Sequence, residues 1–133
     1  MTNDQYMHEY LGKYFGGQEF LNWFQSPAIL YSEERIIENA KVLRELIQKH
    51  FHRSEMYYAI KACPFIDILS LMKSMRIGVE IQSLSEFDTV QQISFPMGQV
   101  MCNGAAKSPE YMAQALSLGC RIVVIRTVNG REF

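Results

Sequence analysis

From residue 56 onward the chain repeats itself. Short β-rich runs begin at Met56 (MYYAIK), Ile77 (IGVEIQ), Gln99 (QVMCN) and Cys120 (CRIVVI), with starts 21 or 22 residues apart. Strands alternating with helices at short spacing specify parallel strands joined by right-handed crossovers. So compact a unit suits a barrel better than an open sheet with long insertions.

The segments between the runs have helical spacing of apolar residues. The first aligns Phe65, Leu69 and Met72 after Pro64. The second aligns Phe87, Val90 and Ile93. The third aligns Met112, Ala115 and Leu116, with Gly119 at a C-cap. Ser83 and Glu86 fit a capping box. Ser108-Pro109 reads as an N-cap followed by proline at the first helical position.

The second run tests the barrel reading. Ile77, Val79 and Ile81 alternate with Gly78, Glu80 and Gln82. An open doubly wound sheet wants apolar residues on both faces, whereas a small or polar inner face suits the active-site end of a barrel. The same alternation puts Tyr57, Ala59 and Lys61 on one face of the first strand. Lys61 is then expected to point into the barrel at its C-terminal rim.

The chain ahead of the repeat has a different layout. Residues 1–26 are an aromatic-rich N-terminal extension interrupted by Gly16-Gly17. Residues 27–55 read as a short strand, Ala28 to Tyr31, and a first helix. Ser32 is its expected cap, with Glu33 and Glu34 in the first turn and Lys49 and His50 at the end, in accord with the helix dipole. Ile36, Ala40, Leu43 and Ile47 are its expected buried stripe. Residues 56–125 are the βα repeats, and residues 126–133 a divergent tail.

Composition narrows the class. The net charge of −1 gives no basic footprint for nucleic acid and no polybasic patch for a membrane. No apolar run reaches the roughly 20 residues of a spanning helix, and no signal peptide is evident. The three cysteines, Cys63, Cys102 and Cys120, are too few and scattered for a disulfide framework. Free thiols in the cytoplasm are the expectation, and no metal site is expected.

Several motifs stand in register with the repeat. Tyr58-Ala59-Ile60-Lys61-Ala62 resembles the Y-A-x-K-A signature of the fold-type III, alanine-racemase-like decarboxylases, the group that includes diaminopimelate, ornithine and arginine decarboxylases. Ala28 to Asn39 (AILYSEERIIEN) is similar to the family's strand leading into its first helix. Gly78-Val79-Glu80 with Ser83 and Glu86 resembles its G-x-D-x-x-S-x-x-E stretch. Asn103 to Ser108 (NGAAKS) resembles its N-G-x-x-K-S segment, and Leu118 to Ile122 its next strand entry. The resemblance runs from about residue 26 to 125.

The resemblance implies the N-terminal half of a TIM (β/α)8 barrel that binds pyridoxal 5'-phosphate, with about four parallel strands. It implies an amino-acid decarboxylase, an amino-acid substrate and a homodimer in the full-length form. Lys61 is then the catalytic residue and the cofactor's attachment point. An amine is needed to form the internal aldimine, and the cofactor then serves as an electron sink for the carbanion left by loss of carbon dioxide. Glu80 is the second cofactor-binding candidate, expected close to Lys61. A structural carboxylate paired with a cation is its alternative. Asn103 either lines the barrel mouth or serves a turn, and Lys107 either contacts a strand end or is exposed.

Two positions depart from the family's pattern: Cys63 stands where asparagine is common, and Glu80 where aspartate is usual. A whole barrel takes about 250 residues. The glycine-rich phosphate loop, the acidic residue facing the pyridine nitrogen and the β-domain that would pair the Ala28–Tyr31 strand are not in this sequence. A truncated chain, inactive alone because its phosphate anchor is missing, is therefore expected. The alternative is a non-catalytic, decarboxylase-like remnant that binds a homologue or another protein.

Overall fold

The computed structural model describes residues 29–104, 107–120 and 122–123, together with residues 9, 12 and 13. The chain divides into two units, Met1–Ser32 and Glu33–Phe133. In the first, Glu9, Gly12 and Lys13 are helical, and residues 29–32 have no regular secondary structure. The strand expected at Ala28–Tyr31 is thus not formed at residues 29–31, and Ala28 lies outside the described residues. A strand exists only through a ladder partner, and no described strand pairs with this segment.

The second unit opens with helix α1, Glu33–His50, acidic in its first turn and basic in its last. Strand β1 (Tyr57–Ala59) runs into a 3-10 turn, Ile60–Ala62. Then follow α2 (Ile66–Ser74), β2 (Gly78–Ile81), α3 (Leu84–Gln92), β3 (Val100–Cys102), α4 (Pro109–Ser117) and β4 (Ile122–Val123). The four strands form one sheet in the order β1-β2-β3-β4, each neighbouring pair parallel. Tyr57 pairs with Gly78, Ala59 with Glu80 and Glu80 with Met101. The βα alternation read from the sequence is the one observed.

Pleating sorts the side chains. Val79, Ile81, Val100 and Cys102 turn to one face and are buried with Phe87, Val90, Tyr111 and Ala115 from α3 and α4. The Phe87 and Tyr111 rings meet edge to face at 5.2 Å, a favoured aromatic geometry. The Tyr111 hydroxyl donates to the Ile81 carbonyl at 2.9 Å and, at 3.4 Å, to that of Asn103. A second cluster of Cys63, Ile68, Met72 and Ile77 packs with Ile36 and Ala40 of α1.

Three helical faces are corrected. In α1 no residue is fully buried, and Leu43 is half exposed. The helix makes its apolar contact with the second cluster through Ile36 and Ala40. In α2, Phe65 is the N-cap residue and is exposed, while Ile68 joins Leu69 and Met72 inside. The helix begins two residues after Pro64, which moves the buried stripe. In α4, Tyr111 rather than Leu116 faces the core, and Leu116 is 68% exposed. The hydroxyl bond to Ile81 fixes that face, because a buried phenol needs a partner.

Each crossover helix ends in the same way. Ile77 N–H donates to Met72 O, Phe95 N–H to Val90 O and Cys120 N–H to Ala115 O, across five residues. Inside each of these lies a shorter bond: Arg76 to Lys73, Ser94 to Gln91 and Gly119 to Leu116. This is the Schellman motif, which needs a left-handed residue. Arg76 (φ 55°), Ser94 (φ 50°) and Gly119 (φ 71°) supply it. Only the glycine was legible as a cap in the sequence. A left-handed L-residue costs roughly 1–2 kcal/mol relative to the right-handed form. Arg76→Gly and Ser94→Gly should therefore each stabilise the protein by about 0.5–1 kcal/mol, and Gly119→Ala, whose new methyl meets no atom within 4 Å, should destabilise it by a similar amount. Urea midpoints of the three variants check this.

The core also predicts alkaline behaviour. Burial, then the neighbouring Cys102 thiol, pushes the Cys120 thiol from 9.0 up to about 12. Burial raises the Tyr111 phenol as well. Both folded values exceed the unfolded ones, so the stability that they contribute is fully present below about pH 9 and is lost as pH rises toward 12. The denaturant midpoint should fall above pH 9, and Cys120→Ala should flatten part of that fall.

Candidate functional site

The C-terminal ends of the strands carry the chemistry-bearing side chains. Lys61 lies in the 3-10 turn directly after β1. The expectation that it continues the strand's alternation is corrected, because β1 stops at Ala59. Ile60, fully buried in the main core, draws the chain into the turn. Lys61 remains at the rim of the sheet and is exposed. It makes no hydrogen bond or ion pair with any described residue, Glu80 included. Two residues on, Cys63 is buried, as a small apolar side chain would be, and its carbonyl accepts from the Tyr58 hydroxyl at 3.2 Å. Burial raises that phenol.

Glu80 stands on β2 opposite Ala59, on the face away from the core, and is half-buried. Its Oε1 accepts two amides: Asn103 Nδ2 at 2.7 Å and Gln82 Nε2 at 3.0 Å. No cation pairs with it among the described residues, so the structural alternative weighed for Glu80 lacks its partner there. Its second oxygen, Oε2, takes no hydrogen bond from a described residue.

The loops behind these residues are built locally. Ser83 caps α3, its hydroxyl accepting from Glu86 N–H at 3.3 Å. The Glu86 carboxylate turns back to the N–H of Gln82, one residue before the position that the capping box expects. Ser108 caps α4 by accepting from Tyr111 N–H, with Pro109 next. Lys107 Nζ donates to the Gly104 carbonyl at 2.9 Å. Gly104 adopts φ 118°, a conformation open to glycine, and lets the chain leave β3 just after Asn103.

Sequence reasoning placed Lys61, Glu80 and Asn103 at one end of the sheet. It missed Gln82 as a partner of Glu80 and Tyr111 as the residue gripping the ends of β2 and β3. The period-two alternation already put Gln82 on the face of Glu80. Nothing in the sequence marked Tyr111.

A cleft of about 330 Å³ lies at the opposite ends of the strands, lined by residues that include Arg44, Tyr57, Arg76, Gly78 and Gln99. It contains neither Lys61 nor Glu80. Arg44 there is already engaged by the Met75 carbonyl at 2.6 Å, and the cleft plays no part in the site described. Among the described residues no helix is long and apolar enough to cross a membrane.

Comparisons with known proteins agree with the fold. Residues 35–130 match the family model described as pyridoxal-dependent decarboxylase, pyridoxal binding domain. A diaminopimelate decarboxylase of Deinococcus radiodurans is 31% identical over 109 residues, covering 82% of this chain and 28% of the relative. One of Haemophilus influenzae is 24% identical over 121 residues, covering 84% and 26%. A crystal structure of a Helicobacter pylori diaminopimelate decarboxylase mutant complexed with L-lysine superposes with a TM-score of 0.69 at 23% identity. It covers 80% of this chain and 26% of the other, and it supports the fold. The chain thus spans about a quarter of the length of the curated relatives that it matches. A lone exposed lysine beyond β1, a carboxylate on the next strand and a family match over most of the sequence lead to one conclusion: the chain belongs to the pyridoxal-dependent decarboxylases and carries the N-terminal part of their barrel.

Proposed function

We propose that this chain supplies the lysine-bearing part of a pyridoxal-phosphate-dependent amino-acid decarboxylase, with Lys61 as the cofactor's covalent attachment point and Glu80 as the carboxylate beside it. The observation that carries the reading is Lys61 itself. Its amine is exposed and unengaged among the described residues, on a turn anchored by buried Ile60. A residue that attacks an aldehyde needs such an open amine on a rigid element. The fit extends to Glu80, whose Oε2 is open to a cationic nitrogen.

When bound, pyridoxal phosphate supplies an electron sink for the carbanion left by decarboxylation. The chain's own residues hold and orient. Lys61 Nζ anchors the group, and freed from it can carry a proton. The Glu80 carboxylate accepts a hydrogen bond from a nitrogen at that place. The chain spans about a quarter of the length of its curated relatives, and in isolation it should bind the cofactor weakly or not at all. The names of the relatives make diaminopimelate the first substrate to try. We place the whole protein in the cytoplasm as a homodimer; the free cysteines Cys63, Cys102 and Cys120 are in keeping with a reducing compartment.

A second reading has its own observation. The outer edges of β1 and β4 pair with no described strand, and unpaired edges invite another chain. A non-catalytic partner of a homologue would use them. The isolated chain should then associate with rising concentration; sedimentation that stays monomeric over a hundredfold range would argue against this reading.

The catalytic reading is tested by borohydride reduction of the cofactor-loaded whole protein, followed by peptide mapping. The label should lie on Lys61, and a label on any other lysine sinks the assignment. Lys61→Ala should abolish the absorbance of lysine-bound cofactor, whereas Glu80→Gln should only weaken turnover.

A further inference from the structure

We infer that Asn103 is a positioning residue for Glu80, holding one carboxylate oxygen so that the other is presented to the nitrogen at Lys61. The inference rests on the reading of Lys61 given above. Its basis is the convergence of two amides on a single oxygen: Asn103 Nδ2 at 2.7 Å and Gln82 Nε2 at 3.0 Å both donate to Glu80 Oε1. A carboxylate has about four acceptor sites over its two oxygens. Two donors on Oε1 fix the plane of the group and leave Oε2 as the open acceptor.

Asn103 is itself firmly held. Its N–H donates to the Ile81 carbonyl at 2.8 Å, in continuation of the β2–β3 ladder. Its carbonyl faces the Tyr111 hydroxyl at 3.4 Å, and the same hydroxyl grips Ile81 at 2.9 Å. Tyr111 is buried against Phe87. Gly104, at φ 118°, then takes the chain away; a methyl there would meet the Gln82 backbone at 3.4 Å. The amide donor therefore comes from a strand end locked to the core. Gln82 donates from the residue just after β2 and so reinforces the grip, while Asn103 bridges from the residue just after β3. The arrangement makes the separation of β2 and β3 set the orientation of Glu80.

The test uses the whole protein, titrated with pyridoxal phosphate near equivalence. The aldehyde condenses with a lysine amine with loss of water, and borohydride adds hydride to the carbon–nitrogen double bond, leaving a stable secondary amine to be counted by peptide mapping. Asn103→Asp keeps the shape but replaces the donor with an acceptor, and Asn103→Ala removes it. Both should lower the yield at Lys61 by about tenfold, the factor carried by one hydrogen bond to a charged acceptor. Yields at the other lysines should not change. The double variant Asn103→Asp with Glu80→Gln rebuilds the pair with its polarity reversed. It should restore the melting temperature lost in Asn103→Asp without restoring the yield at Lys61, because a neutral amide now stands in place of the carboxylate. A yield that recovers together with the melting temperature shows that the carboxylate is not what Asn103 serves, and that result overturns the inference. So does an unchanged yield at Lys61 in the single variants. A wild-type protein that is not labelled at Lys61 instead overturns the Lys61 reading and the inference with it.

Discussion

Parallel pairing in register ties residues 21 positions apart to one row of the sheet. Ala59 lies beside Glu80, and Glu80 beside Met101. Because side chains alternate along each strand, this single register decides which residues enter the core and which are left for chemistry. A slip of one residue would turn Val79 and Ile81 outward and drive Glu80 into an apolar layer, where an unpaired carboxylate is costly. The register is held in two ways: by the buried contacts of Val79, Val100 and Cys102 with α3 and α4, and by the Tyr111 hydroxyl on the end of β2.

Helix endings keep that spacing. Three helices close with the same pair of hydrogen bonds, and each delivers an apolar residue, Ile77, Phe95 or Cys120, back into a core cluster or against it. A short helix leaves its last carbonyls without partners. The left-handed turn satisfies them and reverses the chain toward the next strand. Two of the three turns place a residue with a side chain in a conformation that glycine would adopt more readily, which shows how strongly the geometry of the repeat outweighs local preference.

The two ends of the sheet present different groups. At one end, beside the cleft, Gly78 lets two neighbours approach closely: the Tyr57 ring and the Gln99 carbonyl would both lie within 2.7 Å of an added methyl. At the other end lie an unengaged amine and a carboxylate fixed by amides. Catalytic side chains of barrels gather at the C-terminal ends of the strands, since loops there can vary without disturbing the ladder.

Much of this was legible in the residues alone. The spacing of the β-rich runs, the alternation of Ile77 to Gln82, the caps at Ser83 and Ser108 and the glycine at Gly119 all depend on local periodicity and backbone preference, which act over a few residues and so are written in the sequence. The motif around Lys61 likewise pointed to the family. Which side of α4 meets the sheet, why β1 ends before Lys61, and that Asn103 and Gln82 converge on one oxygen of Glu80 were not legible. The grip of Tyr111 on Ile81 and the bridge from Asn103 to Glu80 span more than 20 residues, where a buried hydroxyl must find a carbonyl and a carboxylate must find donors. The sequence by itself determined the alternation of elements and the residue types at the strand ends; only the tertiary structure decided their partners, because hydrogen bonds between strands are settled by which groups packing brings within about 3 Å.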